Sequence, residues 1–359
     1  MEREYLASQA DVALLEGLYA GRKPYHGEMH DHSNSGGKSD GKELFTTWKY
    51  EIMPEKNMDF AVIVDHKQSM HMRLEEWDST RFIGGTEAGT MILGRGELQS
   101  GMHYNMIFAD PDKQDQLVTE FSEFKFSGGD KGIFVYPRFE PVRFRKLVKR
   151  IRELGGFFVN VHPKYKNYLH SDDPMDYLYG EYTGIEIMTG HGGDMTRQEN
   201  MDAYNMWVDL LNLGQVVFAT SGADSHRRSH THSLSTVYSE KRDAHTYMNY
   251  FREGDFNAGP IGIRMAMGDV TTGGHTAFTG KRLVVAVGDF HCQEYFPENQ
   301  YRIDVYNENG LVLSREFDNS RMAYIALDAE PCRYYRANVY DVTRDRIVAV
   351  GNPIWNQEK

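Results

Sequence analysis

Four short apolar runs constrain the fold of this chain more than any other feature of its sequence. Each is rich in β-branched or aromatic residues and is followed by polar residues; the runs occupy residues 60–64, 157–161, 184–188 and 216–220. Runs of this length and composition predict buried β-strands. Between about residues 25 and 259 they alternate with polar loops and amphipathic segments, a pattern typical of strands and helices arranged around a parallel sheet.

Two amphipathic helices are predicted between these strands. The apolar stripe of the first follows the i, i+3, i+4, i+7 spacing and consists of Phe144, Leu147, Val148, Ile151 and Leu154. The stripe of the second consists of Tyr204, Trp207, Val208 and Leu211. Gly155 and Gly214 follow at the positions where C-terminal caps belong. Stripes of this kind belong to a protein core far more often than to a cofactor site.

The pattern changes after residues 259–260 to alternating strands with tight turns and no convincing helix. Six strands are predicted there, at residues 282–290, 301–306, 311–317, 322–328, 333–341 and 347–350. Asn309 and Gly310 form a hairpin signal. A segment of about 100 residues with this texture predicts a small β-sandwich. We therefore predict two domains, at residues 1–259 and 260–359.

Composition limits the class of protein. At 359 residues the chain can bury a sizeable core. No apolar run approaches the roughly 20 residues of a membrane helix, and the N-terminus lacks the layout of a signal peptide. These features predict a cytoplasmic protein that does not bind membranes. Cys292 and Cys332 are predicted to be free core thiols, and they cannot build a cysteine zinc site.

The formal charge of -12 repels phosphate backbones and argues against a nucleic-acid partner. Divalent ions bound in a pocket would make that pocket locally electropositive, so a small anion remains a possible ligand. The expected partner is therefore a small-molecule substrate of anionic character. The oligomeric state is left open.

Histidine and carboxylate residues recur near the predicted strand ends. Nine of them are candidate metal ligands: His30, His32, Asp40, His66, Glu87, His103, His162, Asp224 and His226. Residues at the C-terminal ends of parallel barrel strands converge on one mouth. Any one of these residues, taken alone, is explained equally well as a helix cap or a hydrogen-bonding group of the core. The prediction of a metal site depends on their occurring together. Imidazole and carboxylate ligands suit zinc, manganese or iron, and nine ligands imply two or three ions, with a carboxylate such as Glu87 bridging them.

These residues resemble the polymerase and histidinol phosphatase (PHP) superfamily of metal-dependent hydrolases over roughly residues 25–235. In that family a His-x-His with a following Ser-Asp-Gly opens the domain, and Asp-His, Glu, His, His-Pro and Asp-x-His follow in order. The resemblance implies a first metal on His30, His32, Glu87 and Asp224. It implies a second on Glu87, His103 and His162, and a third on Asp40, His66 and His226. The implied fold is α/β, a distorted (β/α)7 TIM-like barrel, followed here by the all-β sandwich.

Two positions depart from the family pattern. The interval between His32 and Asp40 is longer than in the family because residues 36–38 are inserted. Glu97 lies closer to His103 than Glu87 does, and it is an alternative ligand. Glu87 is preferred because the glycines beside it let the backbone approach a metal centre. Residues 103–105 and 351–355 also resemble the carbaryl-hydrolase branch, which carries a C-terminal β-domain and is less uniformly a phosphatase.

Several polar residues near the strand ends are candidates for contact with substrate. Lys67, Lys164 and Arg227 lie within two residues of a proposed ligand, where each can reach a bound phosphate or carboxylate. His191 follows another strand end and is the candidate proton donor to a leaving group. His71, His291, and the pair His230 and His232 are left without a role.

The sequence therefore predicts a metal-dependent phosphoesterase that uses a hydroxide bound to a dinuclear or trinuclear metal cluster. The carbaryl-hydrolase resemblance gives a second enzyme hypothesis, hydrolysis of a carbamate, ester or amide at the same site. A third hypothesis belongs to another class, in which the C-terminal segment binds carbohydrate or a partner protein and the barrel is a metal-stabilised scaffold. An assay of phosphoesters alongside carboxyl esters and carbamates distinguishes the first two hypotheses, because only the phosphoesterase would release phosphate.

Overall fold

The computed structural model describes residues 6–34, 39–66, 70–92, 100–126, 137–165, 171–190, 195–229, 233–292, 296, 298–317 and 322–357. Within these ranges the chain forms two β-sheets and seven α-helical segments. The helices are α1 Gln9–Leu18, α2 Phe45–Thr47, α3 Met53–Glu55, α4 Pro111–Glu120, α5 Pro141–Glu153, α6 Gln198–Asn212 and α7 Ala244–Glu253. One π-helical turn spans Trp48–Ile52, and 3₁₀ turns span Met70–Arg73, Ser122–Phe126 and Pro174–Tyr177.

The first ten strands alternate with these helices. They are β1 Lys23–Asp31, β2 Phe60–Ile63, β3 Phe82–Ile92, β4 Ser100–Phe108, β5 Arg138–Phe139, β6 Phe157–Asn160, β7 Thr183–Thr189, β8 Val217–Gly222, β9 Leu234–Ser239 and β10 Phe256–Ala258. Ten more follow without an intervening helix in the described part of the chain. They are β11 Ile261–Met267, β12 Val270–Thr271, β13 His275–Thr276, β14 Arg282–Phe290, β15 Tyr301–Asn307, β16 Gly310–Phe317, β17 Ala323–Asp328, β18 Tyr334–Asp341, β19 Arg346–Gly351 and β20 Ile354–Asn356.

The predicted secondary structure is confirmed at the level of individual elements. All ten predicted strands are present, with ends within two residues of the predicted ones. Helices α5 and α6 bury most of the stripes expected of them, whereas Leu154, which caps α5, and Val208 are only partly buried. Gly155 and Gly214 follow them with φ of 85° and 82°, in the left-handed region where glycine replaces other residues without strain.

Sixteen strands form one large mixed sheet, and β11, β12, β14 and β17 form a separate four-stranded sheet. The order along the main path of the large sheet is β13-β20-β18-β19-β10-β9-β1-β2-β3-β4-β6-β7-β8. Strands β1, β2 and β3 pair in parallel, as do β6, β7 and β8. Strand β4 pairs antiparallel with both β3 and β6, and β9 pairs antiparallel with β1.

The predicted (β/α)7 TIM-like barrel followed by a separate β-sandwich is wrong. Apolar runs identify buried strands, but they do not determine strand direction, and β4 and β9 run opposite to their neighbours. The C-terminal strands also do not form a sandwich of their own. Strand β19 pairs with β10, so six of the strands that follow β10 belong to the large sheet: β13, β15, β16, β18, β19 and β20. The predicted boundary at residues 259–260 lies between β10 and β11 and stays a prediction.

Buried apolar side chains form several core clusters. One cluster of buried residues packs α6 and α7 against the strands around the site, with Trp207 and Phe251 fully buried. A second cluster fills the space between C-terminal strands and includes Ile263 and Val339. Asn352 joins the two regions: its Oδ1 accepts from the Ala219 N–H at 2.7 Å, and its Nδ2 donates to the Phe256 carbonyl at 3.1 Å. One side chain near β20 thereby holds strands β8 and β10.

The structure bears on two expectations from composition, the membrane helix and the cysteines. No helix in the described ranges is long and apolar enough to cross a membrane. Cys292 and Cys332 are both free, as predicted. Cys332 is buried, but the prediction of a core position for Cys292 is wrong, because Cys292 lies exposed directly after β14.

Candidate metal centre

The nine candidate ligands come from seven places along the chain, and the sheet brings them together. His30 lies in β1 and His32 directly follows it; His66 follows β2, and Asp40 lies in the segment between these strands. Glu87 and His103 lie in the β3–β4 pair, His162 follows β6, and Asp224 and His226 follow β8. A bridge between Asp31 and Ser225 joins the end of β1 to the segment after β8. Their ligand atoms fall into three overlapping groups.

The first group consists of His30, His32, Glu87 and Asp224, of which the first three are buried. The Nε2 atom of His32 lies 3.2 Å from Glu87 Oε2 and 3.0 Å from Asp224 Oδ1. The corresponding distances from His30 Nε2 are 3.5 Å and 3.4 Å. Both imidazoles therefore point the same nitrogen at the same two carboxylates.

The second group consists of Glu87, His103 and His162. Glu87 Oε1 lies 2.6 Å from His103 Nδ1 and 3.2 Å from His162 Nε2. The two oxygens of Glu87 thus serve different groups, with Oε2 facing His30 and His32 and Oε1 facing this pair. This is the arrangement expected of a bridging carboxylate.

The third group consists of His32, Asp40, His66 and His226 and lies toward solvent. Asp40 Oδ1 is 3.1 Å from His226 Nε2 and 3.6 Å from His66 Nε2, and the Asp40 side chain is 49% exposed. The rings of His66 and His226 both stack against the ring of His32, with centroids 4.6 Å and 4.2 Å from its centroid. His32 connects this outer group to the buried one.

The charges of the site are strongly coupled. Burial alone would lower the pKa of His30 and His32, but facing carboxylates raise the pKa of His30 well above its ordinary value and that of His32 to about 10. Burial opposes ionisation of Glu87, yet His66, His103 and His30 hold the pKa of Glu87 well below its ordinary value. Burial lowers the pKa of His66. A compact set of imidazoles and ionised carboxylates is what a divalent cation requires.

The residues present fit divalent metal ions. Within each group the potential ligand atoms lie within 4.8 Å of one another. The Nε2 atoms of His30 and His32 are 3.3 Å apart and converge on the same carboxylates, which places two donor nitrogens around one point. The donors are nitrogen and oxygen only, a set that suits zinc, manganese and iron. The chain therefore contains His, Asp and Glu clusters that can hold metal ions.

Two buried carboxylates support these ligands from behind. Glu186 Oε1 accepts from His30 Nδ1 at 3.1 Å, and its Oε2 accepts from the backbone N–H of His162 at 2.9 Å. Asp65 accepts from the backbone N–H of Ser33 at 2.6 Å and from its hydroxyl at 2.7 Å. Ser33 directly follows His32, so Asp65 holds the backbone that carries this ligand.

Neither supporting role was predicted from the sequence. In the sequence, Asp65 directly precedes the candidate ligand His66, and Glu186 lies within the apolar run at residues 184–188. A signal for Glu186 does exist: it is a carboxylate between Ile185 and Ile187 in β7, a strand whose residues are all buried. A charged residue in such a strand requires a partner, and the nearby histidines supply it.

The other predicted site residues have different outcomes. Lys67, His191 and the alternative ligand Glu97 lie outside the described residues, as do His230 and His232. Lys164 Nζ donates to the Ser171 carbonyl at 2.6 Å and to the Tyr177 hydroxyl at 3.3 Å. These hydrogen bonds hold the Lys164 side chain against nearby residues of the same chain segment. Arg227 is exposed and directly follows His226 in the chain.

Comparison with known proteins adds no family assignment. No protein-family model matches this chain, and a search of curated proteins finds no match.

Proposed function

We propose that this protein is a metal-dependent phosphoesterase of the PHP type. The observation that carries the proposal is the sharing of Glu87 and His32 between groups of potential ligands. Shared ligands are typical of multinuclear sites, in which neighbouring ions act together on a substrate. The family assignment rests on the order of the sequence motifs and is part of the proposal.

We propose that these residues bind two or three divalent ions, which are zinc, manganese or iron. The first position would use His30, His32, Glu87 and Asp224, and the second Glu87, His103 and His162. A third would use Asp40, His66 and His226, with His32 also within reach. Ions bound at such a site supply Lewis acidity toward a phosphoester and activate water near neutral pH.

The exposure of the ligands indicates how substrate approaches. His30, His32 and Glu87 are buried, whereas the Asp40 side chain is 49% exposed. In this proposal substrate reaches the cluster past Asp40 and His226, and the exposed Arg227, which follows His226 in the chain, binds its anionic group. The proposed partner is accordingly a small anionic molecule. The proposal keeps the cytoplasmic location predicted from the sequence.

One observation favours a second candidate, hydrolysis of a carbamate, ester or amide. Lys164, a predicted phosphate-binding residue, is engaged by Ser171 and Tyr177. A phosphoester at the cluster would then have fewer cationic side chains to bind it than the sequence suggested. A neutral ester or carbamate needs none of them.

The test combines elemental analysis with a substrate panel. The purified protein is expected to hold at least two metal ions per chain and to release phosphate from phosphoesters. His30→Ala and His226→Ala are each expected to lower turnover by about a hundredfold or more, because each removes a ligand. His245→Ala, at an exposed position on α7, is the matched control and should keep full activity.

Two outcomes would reject parts of this proposal. Full activity with bound metal in both ligand variants would show that the site is elsewhere. Hydrolysis of carboxyl esters or carbamates without phosphate release would replace the first candidate with the second.

A further inference from the structure

Glu186 is a buried carboxylate that contacts two of the proposed ligands without belonging to any of the three ligand groups. It lies in β7 and is 1% exposed. Its Oε1 accepts from His30 Nδ1, which leaves Nε2 of that ring facing Glu87 and Asp224. An imidazole ligand whose second nitrogen donates to a carboxylate has a fixed tautomer and a fixed ring orientation.

The second oxygen of Glu186 acts on a different ligand. It accepts the backbone N–H of His162, a residue with φ of 32° in the left-handed region that non-glycine residues rarely adopt. His162 belongs to the group with Glu87 and His103, whereas His30 belongs to the group with His32 and Asp224. One carboxylate therefore connects two ligand groups.

The local backbone is arranged to allow this contact. The pairing of β7 with β8 shifts register between Glu186 and Met188, a bulge of the kind that re-aims side chains beside functional sites. Gly222 of β8 lies against both partners: a Cβ at this position would overlap the His30 side chain and Glu186 Oε1. The absence of a side chain at Gly222 leaves the space in which the carboxylate meets the imidazole.

We propose that Glu186 is a positioning residue that sets His30 and His162 together, so that the first and second ligand groups gain or lose metal affinity as a unit. The inference rests on the proposed function in that it assumes metal ions at these groups. It does not depend on which ester is hydrolysed.

The experiment measures zinc binding, which a purely structural role would leave unchanged. Glu186→Gln keeps the shape of the side chain but offers only one acceptor oxygen, so one of the two contacts is lost. Zinc affinity and stoichiometry are measured on the full-length chain by competition with a chromophoric chelator. Loss of such a supporting contact is expected to weaken binding by about 10- to 100-fold, at both groups together.

The matched control is Asp255→Asn, which alters a buried carboxylate remote from the cluster. Asp255 pairs with Arg22 at 2.6 Å, so this variant is expected to lower the thermal midpoint while leaving zinc affinity unchanged. Zinc affinity in Glu186→Gln within twofold of wild type would overturn the proposal. Loss at only one group would overturn the coupling of the two.

A measurement on the wild-type protein tests the same contact without a variant. Nitrogen-15 NMR should show a proton on His30 Nδ1, held in a hydrogen bond and shifted downfield. An Nδ1 without a proton would overturn the proposal even if Glu186→Gln does not fold. The proposed function is tested by a separate outcome. If zinc-loaded wild-type protein releases no phosphate from phosphoesters, the phosphoesterase proposal is rejected, but the comparison of zinc affinity between wild type and Glu186→Gln remains valid.

Discussion

The Nε2 atoms of His30 and His32 lie 3.3 Å apart, and both face Glu87 and Asp224. The two carboxylates favour the protonated forms of both imidazoles and offset the repulsion between the two rings. The same carboxylates raise the pKa of His32 to about 10, against the effect of burial. Protons and metal ions therefore compete for the same nitrogens.

Metal binding is predicted to release protons at neutral pH. His32 is protonated well below a pKa of about 10, and a metal ligand must be neutral, so each ion that binds this nitrogen displaces a proton. Apparent affinity should rise by about tenfold per pH unit for each proton displaced, up to that pKa. Titration calorimetry of metal-free protein in buffers of different ionisation enthalpy measures the release. Metal uptake without a proton would contradict the prediction.

Acid is predicted to destabilise the protein through His26, which lies away from the metal cluster. Burial, together with the neighbouring His291, lowers the pKa of His26 to about 3. In the unfolded state the His26 imidazole takes up a proton near its ordinary pKa of about 6.5. The stability that the neutral, buried His26 contributes is therefore complete above about pH 6.5 and is lost as pH falls toward 3. The free energy of unfolding should fall by about 1.4 kcal/mol per pH unit in this window.

Urea unfolding at several pH values, with His26→Gln beside wild type, measures this slope. His26 Nδ1 contacts the Thr236 hydroxyl at 2.9 Å, and glutamine can keep a polar contact there without titrating. The variant should lose most of the acid dependence, whereas His245→Gln on the exposed face of α7 should keep it. An unchanged slope in the His26 variant would assign acid sensitivity to other groups.

Substitution of Gly222 by alanine is predicted to damage both stability and metal binding. The new methyl group would overlap the His30 side chain and Glu186 Oε1, so the β7–β8 pair must shift. Overpacking of this kind costs about 1–3 kcal/mol. Gly17→Ala is the control, because α1 leaves open space around its position and alanine favours a helix. Thermal melts and zinc competition on both variants check the prediction, and wild-type zinc affinity in Gly222→Ala would contradict it.

Asn352→Ala is predicted to destabilise the fold by about 1–3 kcal/mol. The side chain accepts from the Ala219 N–H and donates to the Phe256 carbonyl, and its removal leaves these buried backbone groups without that partner. Gln116→Ala on the exposed face of α4 should change stability by no more than about 0.5 kcal/mol. Chemical denaturation measures both, and equal stabilities would show that β8 is held by other contacts.

The sequence was sufficient to predict ten of the strands, helices α5 and α6, and the candidate ligands, because all of these depend on local patterns. Apolar runs locate strands such as β2 and β6, and polar residues directly after them, such as His66 and His162, are those that a shared sheet edge can bring together. The nine candidates meet in the structure for this reason.

The arrangement of strands could not be predicted in the same way. The segment that forms β4 has the same composition whether it pairs parallel or antiparallel with β3, since strand direction depends on contacts made elsewhere in the chain. The pairing of β10 with β19 joins segments that composition had separated. The supporting role of Glu186 could not be predicted for a related reason: its partner His30 is distant in sequence, and only the folded sheet brings the two together.

The contact of Asn352 with β8 also has a consequence for how the protein matures during synthesis. Strand β8 leads directly to Asp224 and His226, while the side chain that holds its backbone is translated only after all nine candidate ligands have left the ribosome. A nascent chain that lacks residue 352 therefore carries every ligand but lacks this support for β8. We expect the cluster to acquire its metals late, after the C-terminal strands have joined the sheet.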